Sequence, residues 1–150
     1  MLKADPSVRL DLRDYWRMAP NQRWAMKVLL GKDFEQLQAY DSAIKYLRLA
    51  LINKKNEEDK ASTYYLLGQV FRKTKRLDSA IINYSRSISL LQPASSGGLM
   101  TDNHIGLLFA YNEANINSAA VNIIEWFNKN NPKLSVSQRI NLHLAQVDFF

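Results

Sequence analysis

Apolar residues along the chain recur at intervals of three and four; Ile44, Leu47, Ala50 and Leu51 form one such set. That spacing lines one face of an α-helix, whereas a half-buried strand would alternate with period two. No long stretch of this sequence alternates in that way. Pro20, Pro93 and Pro132 stand between long proline-free stretches, where helices are expected to start or stop. The pattern predicts an all-helical chain whose helices run for roughly 12 to 16 residues.

The segments repeat. Leu30-Gly31 matches Leu67-Gly68, Phe34 matches Phe71, and Asp41-Ser42-Ala43-Ile44 matches Asp78-Ser79-Ala80-Ile81, seven identities at one offset of 37. A weaker third copy follows at an offset of 40, with Leu107, Tyr111, Ser118, Ala120, Val121 and Ile124 falling on Leu67, Phe71, Asp78, Ala80, Ile81 and Tyr84. A fourth start is visible at Leu144-Ala145. Each copy reads as two helices, with hairpins expected over about 24–54, 61–91 and 102–129. Asp41, Asp78 and Ser118 are expected to cap the second helix of each pair. Ala43, Ala80 and Ala120 then lie on its inner side, where only a methyl group lets two helices approach. Glycine inside a helix costs about 1 kcal/mol against alanine, so Gly31 and Gly68 call for a packing reason; Gly68 is expected to lie against Ala80.

These residues resemble the tetratricopeptide repeat: a large residue, Leu-Gly, an aromatic, and small residues at set places in the second helix. The second copy carries the pattern most fully, as Tyr64, Leu67, Gly68, Phe71, Ala80, Tyr84, Ser87 and Pro93. The first has Lys27 at the large position. The third departs at Leu108, where a small residue is usual, and at Phe127, where alanine is usual, so its helices are expected to pack further apart. The resemblance implies an all-α, right-handed superhelical stack of antiparallel helix hairpins, an α-solenoid. It divides the chain into an N-terminal helix or partial repeat over 1–20, repeats over 24–57, 61–94 and 101–134, and a truncated fourth over 135–150. The amphipathic stretch 6–18 (Val8, Leu10, Leu12, Tyr15, Trp16) supplies that first helix.

The spacings of 37 and 40 exceed the usual 34 or so of the family. The second insertion, Ala94-Ser95-Ser96-Gly97-Gly98, has the composition of a flexible linker. Longer, irregular repeats of this style resemble those in the sensory or regulatory regions of bacterial signalling proteins, two-component histidine kinases and transcription regulators among them. The last residues, Val147-Asp148-Phe149-Phe150, continue an apolar helical pattern, and solenoid ends need a polar outer face. The chain is therefore expected to be a piece of a longer protein. Leu142, Val147, Phe149 and Phe150 are expected to be exposed and to favour self-association.

Composition narrows the chemistry. Apolar residues are 47% of the chain, enough for a core, and there is no cysteine for a disulfide, a thiolate metal site or a thiol nucleophile. No apolar run reaches the 18 or so residues of a membrane span, and no signal-peptide core follows the start; a cytoplasmic and a periplasmic location both remain open. His104 and His143 are too far apart for a helical ligand pair, and no phosphate loop or nucleophile elbow is present. His104 reads as a packing residue and His143 as an exposed one. The chain is thus expected to be catalytically silent, without metal or cofactor. The net charge of +6 comes with clusters at helix ends, Lys54-Lys55 and Arg72-Lys73-Lys75-Arg76, where cations complement the helix dipole. Acidic Glu35, Asp102 and Glu113 interrupt any basic stripe, which argues against nucleic acid.

The resemblance also implies where a partner sits, because the family lines its concave surface with the first helix of each repeat. Carried over, the groove takes Val28, Lys32 and Glu35 from the first repeat, Tyr65, Gln69, Arg72 and Lys73 from the second, and Ile105, Phe109, Asn112 and Glu113 from the third. The family's chaperone-tail binders use a lysine–asparagine carboxylate clamp there. Val28 replaces its first lysine, Lys32 its first asparagine and Leu66 its second asparagine, so that activity is not implied. The expected role is a non-catalytic interaction scaffold for a peptide or protein segment, one source being the same full-length protein. It is read as the sensory or regulatory part of a signal-transduction protein, with a free-standing adaptor or another protein's regulatory domain as the alternative.

Overall fold

The computed structural model describes residues 17–52, 54–92 and 97–149, and these form seven α-helices and no strand. They are α1 (Pro20–Gln36), α2 (Tyr40–Leu51), α3 (Glu57–Lys73), α4 (Leu77–Leu90), α5 (Gly97–Glu113), α6 (Asn117–Asn130) and α7 (Val136–Phe149). Helices α1–α2, α3–α4 and α5–α6 are antiparallel hairpins stacked in order, α3 seating on α2 and α5 on α4. The expected hairpins are all present, each starting a few residues earlier than the sequence indicated. Most of the N-terminal stretch 6–18 lies outside the described residues, as do Ala94, Ser95 and Ser96 of the insertion.

One backbone device makes all three hairpin turns. Gln38, Lys75 and Asn115 adopt left-handed conformations, with φ of 60°, 62° and 58°. In each turn the next amide reaches back to close the preceding helix: Ala39 N to Phe34 O, Arg76 N to Phe71 O and Ile116 N to Tyr111 O, each 2.9 Å. This is the αL closure that usually employs glycine. It corrects the expected caps: Asp41, Asp78 and Ser118 are each the second residue of their helix, and Ala39, Arg76 and Ile116, the residues at the capping position, make no side-chain cap bond. Asp41 and Asp78 still complement the helix dipole from the first turn.

The core follows the repeat. Ala43, Ala80 and Ala120 are completely buried. A Cβ added at Gly31 would lie 2.7 Å from Leu47 Cγ, and one at Gly68 2.7 Å from the Tyr84 ring. The nearest neighbours of Gly68 are thus Tyr84 atoms rather than Ala80. The third hairpin is wider, as Leu108 and Phe127 led us to expect. Leu108 is fully buried at the glycine position, Phe127 is buried where Ser87 and Ala50 stand in the other pairs, and α5 and α6 approach less closely than their counterparts. A buried polar link ties the second hairpin to the third. Asn103 donates to Ser87 Oγ at 2.8 Å and to Leu99 O at 3.0 Å, and Ser87 donates to Ala61 O at 2.6 Å.

Helix α7 runs parallel to α5 and packs chiefly on it, with little contact with α6. Ser135 and Gln138 form a reciprocal capping box, at 3.1 and 3.0 Å. The same Gln138 donates to Asp102 Oδ1 at 3.0 Å and Gly98 O at 3.2 Å, while Asn112 donates to Ala145 O at 2.6 Å. Leu142, expected to be exposed, is 9% exposed against α5, because it and Ala145 form the docking face. Val136, Ile140 and Leu144 are the outward residues, each more than half exposed; Phe150 lies outside the described residues. Among the described residues no helix is long and apolar enough to cross a membrane, and no group of three or more histidine or acidic residues could hold a metal ion.

Candidate partner-binding cleft

Helices α3 and α5 present facing stripes. Tyr65, Gln69 and Arg72 lie at i, i+4 and i+7 on α3, and Asp102, Ile105, Gly106 and Phe109 at i, i+3, i+4 and i+7 on α5, spacings that put each set on one helix face. Between them is an open cleft of about 240 Å³, with Asn141 of α7 at its rim. Ion pairs brace it on both sides. Lys73 pairs with Glu35, tying α3 to α1, and Lys75 Nζ lies 2.8 Å from Glu113 Oε2, tying the turn after α3 to α5.

Arg72 organises the interior. Its guanidinium carbon lies 4.8 Å from the Phe109 ring centroid, a cation–π contact. Its Nε donates to Tyr84 Oη at 3.3 Å, its Nη2 to Gln69 Oε1 at 3.5 Å, and its Nη1 lies 3.8 Å from Glu113. Tyr84 also donates to Gln69 Oε1. The Tyr65 ring leans on Tyr84, with centroids 5.9 Å apart and planes at 49°. Burial, and then the Asp102 charge, pushes the Tyr65 phenol up. Burial likewise pushes Tyr84 up to about 12, with the Arg72 cation opposing it. Both phenols are therefore neutral donors near neutral pH. The cleft offers a cation, a carboxylate, an amide and a phenol between the apolar walls of Ile105 and Phe109.

Tyr84 belongs to α4 and is fully buried, yet it backs the Gln69 and Arg72 wall of this cleft because two glycines clear its way. A Cβ at Gly106 would lie 2.5 Å from Tyr84 Cζ, just as one at Gly68 would lie 2.7 Å from its ring. The ring is held between two bare helix backbones.

Five of the sequence-derived groove residues, Tyr65, Gln69, Arg72, Ile105 and Phe109, line this one cleft. Of the other six, Glu35, Lys73 and Glu113 are held in ion pairs beside it, and three lie elsewhere. Val28 is 7% exposed in the core, Lys32 is exposed on α1, and Asn112 is engaged with the Ala145 carbonyl. Sequence reasoning missed Asp102, Gly106, Asn141 and the part played by Tyr84. A mid-helix glycine at 106 was the available signal, but it stands two places before the repeat's own glycine position.

Residues 61–90, which span α3 from Ala61 to the end of α4, match the family model for the tetratricopeptide repeat. The chain carries a tetratricopeptide repeat. The matched repeat is the hairpin in which Gly68 closes on Tyr84, and it contributes the α3 wall of the cleft. With its neighbours it makes an all-α, tetratricopeptide-like helical stack, a kind of repeat that generally mediates protein–protein contacts and is typically non-catalytic. No curated protein and no solved structure matches the chain.

Proposed function

We propose that this chain is a non-catalytic scaffold that holds a peptide or protein segment in the α3–α5 cleft, as the regulatory part of a larger bacterial signal-transduction protein. The observation that carries the reading is the convergence of Tyr65, Gln69, Arg72, Ile105 and Phe109 on one open cleft. Amide side chains satisfy a peptide backbone without reading its sequence, and aromatic and arginine anchors supply most of the affinity in such contacts. The irregular repeat spacing supports the signalling context by its style.

The test is selection of binders from a random peptide library displayed against the parent protein, followed by titration of the selected peptides. Tyr65→Ala combined with Gln69→Ala should weaken binding at least tenfold, the effect of losing about 1.4 kcal/mol, while Lys32→Ala, outside the cleft, should leave it unchanged. Equal binding by a folded double variant and the parent would remove the cleft from the proposal.

A further inference from the structure

A second opening lies on another side of α5, between it and both α4 and α6. It measures about 420 Å³, within the range of small-molecule sites. Its walls are apolar or aromatic at Ile88, Met100, Trp126 and Pro132, and Asn130 brings an amide to its edge. Among the described residues, no charged one lines it. The His104 ring lies flat on the Trp126 indole, with centroids 3.6 Å apart and planes 8° apart.

His104 shares the polar part of this opening with Thr101 and Asn130; it is the imidazole among them and is 6% exposed. Its Nδ1 is 2.7 Å from the Met100 carbonyl. A carbonyl only accepts, so Nδ1 carries the proton and Nε2 presents a lone pair. Nε2 has no hydrogen-bond partner among the described residues, yet it is not among the polar atoms sealed from solvent without one. The opening that His104 lines is its route outward. In the second hairpin the corresponding pair is Tyr64 under the Arg86 guanidinium, 5.9 Å from its ring, so the arrangement belongs to the third hairpin alone. It exists there because Leu108 and Phe127 hold α5 and α6 apart.

We propose that this opening is a binding site for a small neutral aromatic molecule bearing one hydrogen-bond donor. The ring packs against Ile88, Met100 and Pro132, and its O–H or N–H donates to His104 Nε2. A charged ligand is disfavoured, because nothing in the walls compensates its desolvation.

The probe pair is p-cresol and toluene, which differ by the donor alone. Each is titrated into the isotope-labelled protein while the Trp126 indole N–H is followed by NMR. p-Cresol should give a saturable shift of that signal and bind about tenfold more tightly than toluene, the effect of one hydrogen bond. His104→Phe keeps a flat ring on Trp126 and should erase the difference between the two. Ile88→Trp should fill the opening and abolish binding of both without touching His104, which keeps the test decisive if the histidine variant does not fold. The proposal is overturned by the absence of a saturable shift, by equal affinity for the two probes, or by discrimination that survives in folded His104→Phe.

Discussion

The second and third hairpins share a backbone turn and differ at their contact. In α3–α4 a glycine meets a fully buried tyrosine ring, and a buried serine bonds across to the facing helix. In α5–α6 the same two positions hold Leu108 and Phe127, and the helices stand apart. The turn is thus sufficient to define the hairpin, while its width is set by two side chains. Where the width is small, the helices join into core; where it is large, the hairpin leaves an opening floored by His104 and Trp126.

Exchanging the contact residues is the most severe way to break this contrast. Leu108→Gly empties a fully buried position and adds a helix glycine, so it should destabilise by about 3–6 kcal/mol. The reciprocal Gly68→Leu drives a side chain into Tyr84 and should cost about 1–3 kcal/mol or more. Chemical denaturation measures both. If either variant matched the parent, the assignment of hairpin width to these two positions would fail.

A milder separation uses pH. Burial lowers the His104 pKa below the ordinary 6.5, against the opposing pull of the Met100 carbonyl. The unfolded chain therefore takes up its proton first as pH falls, and the stability held in the neutral, stacked ring is present above about pH 6.5 and declines below it. Tyr64, at the matching place in the second hairpin, carries no imidazole. Melting temperature should drop below pH 6.5 more steeply in the parent than in His104→Phe; parallel profiles would contradict the account.

The smallest effect tests what the hairpins share. Gln38 is exposed and left-handed, a conformation that costs a non-glycine residue about 1–2 kcal/mol, while glycine adds roughly 0.5–1 kcal/mol of unfolded-state entropy. Gln38→Gly should therefore stabilise by about 0.5–1 kcal/mol, a rise of a few degrees in Tm. Asn115→Gly should gain less, because asparagine tolerates this region better. A loss of stability in Gln38→Gly would show that the turn is not strained.

The hairpins were legible in the sequence because close approach leaves few residues to choose from, and Gly31, Gly68 and the Asp-Ser-Ala-Ile runs mark it. The exact helix starts were not. The turns close through left-handed Gln38, Lys75 and Asn115, and nothing about glutamine or lysine announces that backbone. The groove was legible where family positions sit on α3 and α5. It was not legible at Val28, which the first hairpin buries, or at Asn112, which α7 engages. Asp102 and Asn141 depend on how α7 docks, a contact between segments about 40 residues apart that no local pattern encodes.

The placement of Tyr84 has a mechanical consequence for the cleft beside it. A rigid ring gripped by two helix backbones acts as a spacer between α3 and α5. Moving the helices closer would press ring carbons into main chain, and moving them apart would open a void in a close-packed interior. The mouth of the cleft therefore has one gauge, set from behind by a residue of a different helix. On the proposed function, a bound segment would meet a jaw whose width is already set, and would lose little free energy to adjusting it.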